Sequence, residues 1–87
     1  MTEKQLKLQR IVSARKSLMN KEWDRVVCNF DNKTFVEVSF FNSEADFRTQ
    51  RYPSVNDAVE DQLRKLGRDL IRRVKKENMN ELMEAIT

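Results

Sequence analysis

The chain has 87 residues, 39% of them apolar and 36% charged, with a formal net charge of +3. That length makes one domain, residues 1–87, with no room for a second. A single Gly, a single Pro and a single Cys exclude a Gly-rich phosphate loop, a low-complexity tail and an internal disulfide.

Residues 3 to about 20 read as a helix. Thr2 with Gln5 three residues on forms a capping-box pattern. Leu8, Ile11, Val12, Leu18 and Met19 line one face, and Arg15 falls in its middle. Either the aliphatic stem of Arg15 covers the core edge while its head reaches water, or the charge is buried against a sheet acid such as Glu37 or kept for a ligand.

Residues 25–30 and 34–41, rich in Val and Phe, read as two strands joined at Asp31-Asn32-Lys33. Val26, Cys28 and Phe30 share one face of the first strand; Val36, Val38 and Phe40 share one face of the second. Both sets fall on the same side only if the loop has an odd number of residues, because a one-residue slip moves a whole set across the sheet. Cys28 is expected as a small core residue. Residues 42–46 form a turn, and residues 47–52 alternate poorly and read as a third, edge strand. Pro53 ends it, and Ser54 with Asp57 starts the next helix.

That helix runs from about 55 to at least 76. Asn78 with Glu81 is a second N-cap pair, so the helix either breaks near 78 and restarts or continues to Ile86. Val55, Val59, Leu63, Leu66, Leu70 and Val74 fall in a sector roughly 100° wide, with Leu66 expected in the core beside Val38. Gly67 costs about 1 kcal/mol relative to Ala inside a helix. It marks either close packing against the sheet or a flex point. The expected fold is α+β: an N-terminal helix, an antiparallel hairpin or three-stranded meander, and a long C-terminal helix packed on the sheet.

On the far side of that helix Arg64, Lys65, Arg68, Arg72, Lys75 and Lys76 occupy a sector roughly 120° wide. Residues 64–76 hold seven basic side chains against one acid, whereas residues 23–53 hold four against five and residues 78–87 none against two. Glu60 with Arg64, Asp61 with Lys65 and Asp69 with Arg73 are spaced i,i+4 and offset part of this charge. Arg68, Arg72, Lys75 and Lys76 have no obvious helical partner. Such a stripe is either a solvated face or a match to successive phosphates. Phe35, Phe41, Phe47 and Tyr52 are the aromatic residues that base stacking would use if exposed.

The order helix, three strands, helix is similar to that of the double-stranded RNA-binding domain. That family carries a basic cluster at the start of its last helix; here Asp57, Glu60 and Asp61 stand there, where they complement the helix dipole.

The sequence has no histidine, which removes the commonest general base and most zinc sites. Nothing in the spacing of Tyr52, Arg51 and Glu37 argues for a histidine-free nuclease site. No catalytic residue, metal site or cofactor is expected. No apolar run approaches the ~20 residues of a membrane span, residues 1–5 are polar, and the lone cysteine favours a reducing compartment, so the expected location is cytoplasmic with no membrane partner.

The expected function is therefore that of a small, non-catalytic regulatory binding protein whose cationic helical face engages nucleic acid or a nucleoprotein. The alternative is a protein-protein adaptor or inhibitor of the phage or mobile-element type. It would use the exposed sheet face or the C-terminal stripe Met79, Leu82, Met83 and Ile86, spaced i, i+3, i+4 and i+7. That stripe overhangs what a short sheet can cover, which also argues for a homodimer.

Overall fold

The computed structural model describes residues 1–19 and 23–86. Its elements follow the order α1 (Glu3–Leu18), β1 (Arg25–Asn29), β2 (Val36–Phe41), β3 (Phe47–Tyr52) and α2 (Val55–Ile86). The fold is α+β, as the sequence pattern implies. α1 starts on the expected capping box: the Gln5 amide donates to the Thr2 hydroxyl, and the Thr2 amide donates to the Gln5 side chain. The helix ends at Leu18, with Met19 its extended C-cap, one residue or more short of the expected end; residue 20 itself lies outside the described residues.

The three strands form an antiparallel meander in the order β1-β2-β3. Val26 faces Phe40 and Cys28 faces Val38, so the two apolar sets share one side of the sheet. The register is shifted by two residues from the one a loop at 31–33 would impose. A shift of two keeps every side chain on its face, so the longer loop leaves both apolar sets on the expected side. At the β2–β3 turn the Asn42 side-chain oxygen accepts the amides of Glu44 and Asp46, and Ala45 takes a left-handed φ of 65°.

Both helices cover the Val38 side. Leu8 and Val12 of α1, Ala58 of α2, and Val36, Val38 and Phe40 of β2 make the buried core. Trp23, Val26, Cys28, Tyr52, Val55 and Val59 pack around its edge. Burial raises the Cys28 thiol to about 11, so it stays protonated and inert near neutral pH.

α2 departs from expectation. Its buried residues are Ala58 and Gln62, and Leu66 is only half-buried. Leu63 and Leu70 are each 47% exposed and Val74 is 54% exposed. The face that meets α1 and the sheet runs through Ala58, Gln62 and Asp69, roughly 90° around the helix from the apolar stripe. The small Ala58 side chain lets α2 approach closely, and polar side chains fix its rotation, as described below. α2 also does not break at Asn78. It is continuous over 32 residues, about 48 Å long, and every described residue from 71 onward is exposed.

Gly67 is not there for close packing against the sheet: a Cβ at this position would meet nothing within 4 Å, and its φ is not positive. Replacing Gly67 by Ala should therefore stabilise the chain by about 1 kcal/mol through helix propensity alone. Urea denaturation followed by circular dichroism measures this; an unchanged or lower midpoint would show that the site needs glycine.

Candidate nucleic-acid interface

Alternation along β3 sends Arg48, Gln50 and Tyr52 to the helix-covered side of the sheet and Phe47, Thr49 and Arg51 to the open side. The inner set meets α2 through a polar network. The Gln62 amide nitrogen donates to the Gln50 side-chain oxygen at 2.7 Å and to the Tyr52 hydroxyl at 2.8 Å. Tyr52 donates its single proton to the Asp61 carboxylate, the strongest acceptor in reach. Arg64 and Lys65 also hold Asp61, at 2.5 and 2.9 Å.

These contacts set the charge states. Burial alone would raise the Asp61 pKa, but the Tyr52 hydroxyl, Lys65 and Arg64 together hold its carboxyl well below the usual carboxylate range. Tyr52 is pushed up to about 12, first by burial and then by its bond to Asp61.

Arg15 anchors the other end of the network. Its Nε donates to Asp69 at 2.8 Å and its Nη1 donates to the Gln62 oxygen at 2.7 Å. The two charged side chains are only 7% and 10% exposed. Burial in an ion pair is one of the readings the sequence offers, but the partner lies on α2. Glu37 sits on the opposite side of the sheet, paired with Arg51 at 2.7 Å. Tyr52 and the Arg51–Glu37 pair therefore face opposite ways and share no site.

Beside Arg15 the end of α1, the start of β3 and the middle of α2 enclose a cleft. Arg15, Leu18, Met19, Arg48, Arg68, Asp69 and Arg72 line it. A second depression continues along α2 past Leu18, lined by Arg72, Arg73, Lys76, Glu77 and Asn80. Among the described residues the only acid lining the first cleft is Asp69, and Arg15 already holds it. Arg48, Arg68 and Arg72 form no ion pair among the described residues. The Arg48 guanidinium lies over the Trp23 ring, 5.6 Å from its centroid.

The six expected cations thus divide. Arg68, Arg72 and Lys76 line these clefts, and Lys75 is exposed but lines neither. Arg64 and Lys65 point to Asp61, and Lys65 is only 15% exposed. The expected Asp69–Arg73 pair does not form, because Asp69 turns inward to Arg15 and Arg73 reaches forward to Glu77 at 3.4 Å. Arg48 is the member that sequence reasoning missed. Its signal was the hairpin register, which sets it opposite the core residue Phe40.

The open sheet face is different in kind. Phe41 and Phe47 touch at 6.3 Å between centroids, and Phe47 is 67% exposed. Arg25 stacks on Phe41 and Arg51 on Phe35, each at 4.8 Å. Tyr52, the fourth aromatic considered for stacking, points to the inner side. The stripe Met79, Leu82, Met83 and Ile86 is 62–76% exposed at the end of α2.

Among the described residues no group of His, Cys, Asp and Glu could hold a metal ion, and no helix is long and apolar enough to cross a membrane. Comparison of the chain with protein-family models, with curated proteins and with solved structures found no match.

Two stability tests follow from the network. Truncating Arg15 to Leu leaves Asp69 buried without its partner and should cost about 3–5 kcal/mol; a smaller loss than Ala replacement of an exposed arginine would show that the pair is not buried in solution. For Asp61, whose folded pKa is depressed, the stabilisation is present above an unfolded pKa of about 3.9 and is lost as pH falls below it. For Tyr52, whose folded pKa is raised, stability is full below about 10 and is lost as pH rises toward about 12. Asp61→Asn should therefore be less stable than the parent chain near pH 7, with the gap closing below about pH 4. A gap that persists unchanged into acid would assign the loss to packing and not to charge.

Proposed function

We propose that the protein is a non-catalytic, regulatory binding protein that engages nucleic acid, or a nucleoprotein through its nucleic acid. The observation that carries this reading is the convergence of Arg48, Arg68 and Arg72 on one cleft whose single described acid is already neutralised by Arg15. Guanidinium groups match phosphate geometry and stay charged at all working pH values. Two elements, β3 and α2, position them, so the fold holds the charges together at the cost of their mutual repulsion. Lys75 and Lys76 extend the field along α2. We read the protein as acting in the cytoplasm and as able to form a homodimer through Met79, Leu82, Met83 and Ile86.

One observation favours a second reading, a protein partner on the open sheet face. Phe47 is exposed beside Phe41, and the cations there are already stacked or paired, so this face offers apolar contact more than charge.

Trp23, the only tryptophan, lies under Arg48 and should report on ligand entering the cleft. Titration with duplex and single-stranded oligonucleotides should change its fluorescence. Neutralising three to four phosphates should weaken binding by roughly 40- to 150-fold between 50 and 200 mM salt. Arg68→Glu with Arg72→Glu should abolish binding without unfolding the chain, since both side chains are exposed. Absence of binding at low salt, or binding indifferent to this double reversal, overturns the proposal and leaves the sheet-face partner.

A further inference from the structure

Strand β3 is an edge strand, paired with β2 alone. Its first two residues point to opposite sides of the sheet, Arg48 into the cleft and Phe47 onto the open face. At this point the cleft and the open face are only the width of one strand apart. The register places Phe47 at the end of a row that crosses the whole sheet, Phe47, Phe41 and Arg25. The row is about 10 Å long from strand to strand. Phe41 backs the exposed Phe47 ring, and the Arg25 guanidinium lies over Phe41.

The charges around this row say what can lie on it. The next row, Val27, Ser39 and Thr49, is uncharged, and its two hydroxyls bond each other at 2.9 Å. Glu37, the one acid that the strands turn to this face, stands in the third row and is held by Arg51. Asp24, Glu44 and Asp46 stand beyond the row at the end of the sheet. They repel an anionic chain from that end, so such a chain reaches the row across the β3 edge, from the cleft. An exposed ring alone accepts any apolar group. Arg48, Arg68 and Arg72 next to it, and Arg25 at the far end of the row, select a ligand that alternates negative charge with flat apolar surface. Phosphates and bases alternate in this way. A duplex brings phosphates to the cleft but keeps its bases stacked on one another, whereas a single strand has bases free to lie on a ring.

We propose that the ligand of the cleft is a single-stranded nucleic acid, whose backbone crosses the β3 edge and whose next base stacks on Phe47, braced by Phe41. This inference rests on the cleft reading above and adds to it the strandedness of the ligand and the residue that selects it. The two parts contribute differently. The cleft supplies the salt-dependent attraction to phosphates. Phe47 supplies stacking, which tolerates any base and does not change with salt.

Trp23 fluorescence titrations of the full chain test it, with single-stranded DNA and RNA of about ten nucleotides, the matching duplexes, and a DNA strand of the same length without bases. The expected result is that a single strand, DNA or RNA, binds more tightly than its duplex and than the abasic strand. Phe47→Ala changes an exposed position and should leave the circular dichroism spectrum unchanged. It should lose roughly 5- to 150-fold in affinity for the single strand and nothing for the duplex or the abasic strand. Its salt dependence should match the parent chain, because no phosphate contact is lost. Phe47→Leu, apolar but without a ring face, should behave like Phe47→Ala, and Phe47→Trp should retain binding. Arg68→Glu with Arg72→Glu should remove binding of every oligonucleotide. Three results overturn the inference: a duplex bound as tightly as the single strand, Phe47→Ala equal to the parent chain, or Phe47→Leu equal to the parent chain. If binding still needs Arg68 and Arg72 in those cases, the cleft reading stands without the stacking site. No binding of any oligonucleotide at low salt removes both and leaves the open face to a protein partner.

Discussion

The rotation of α2 about its own axis decides which surfaces this protein shows, and a buried arginine fixes that rotation. Arg15 reaches from α1 to Asp69 and Gln62, two turns apart on α2. Gln62 passes the constraint to Gln50 and Tyr52 on β3, and Tyr52 passes it to Asp61. Arg15, Gln62 and Tyr52 each donate to an acceptor within this relay, as buried polar groups require. Turning α2 to bury its leucines would bring Leu66 inward but leave Arg15 and Asp69 without each other. The cost of two unpaired buried charges exceeds the transfer energy of one or two leucines, so the polar arrangement wins and the leucines stay half in water.

That choice also places the cations. With Asp69 inward, Arg68 and Arg72 flank it and face Arg48 across the cleft. Charge reading and core reading are therefore linked in one structure. The same residue that completes the interior neutralises Asp69, the one acid among the described residues that lines the cleft. A surface rich in arginine beside a neutralised carboxylate follows from how the core was closed.

Much of the fold was legible in the sequence because its signals are local. The Thr2–Gln5 capping box, the alternation of Val36, Val38 and Phe40, and the Pro53-Ser54 punctuation each involve residues a few positions apart. The hairpin faces were legible for the same reason. What could not be read were the long-range pairings. Arg15 and Asp69 are 54 positions apart, and nothing local distinguishes Asp69 from an acid meant for Arg73. Periodicity then misled, because an apolar stripe is ordinarily the inward one. Here the inward face is Ala58, Gln62 and Asp69, a set with no hydrophobic signature. Arg48 was missed for a related reason: an irregular edge strand gives a weak alternation, and its side is known only once β2 is beside it.

The unbroken α2 divides the molecule into regions of unequal local stability. Between Ala58 and Asp69 its backbone is held by the core and the Arg15 network, so opening there requires unfolding much of the domain. Beyond residue 71 the helix has no buried side chain to hold it, and a solvated helix of that length is marginal in water. Its amides open by local fraying, at a free energy well below that of global unfolding. Native-state hydrogen exchange would show a steep step in protection along a single helix. Fraying there exposes the bonds after Arg73, Lys75 and Lys76 to a trypsin-like protease, and a cut at any of them releases the apolar tip from the folded domain.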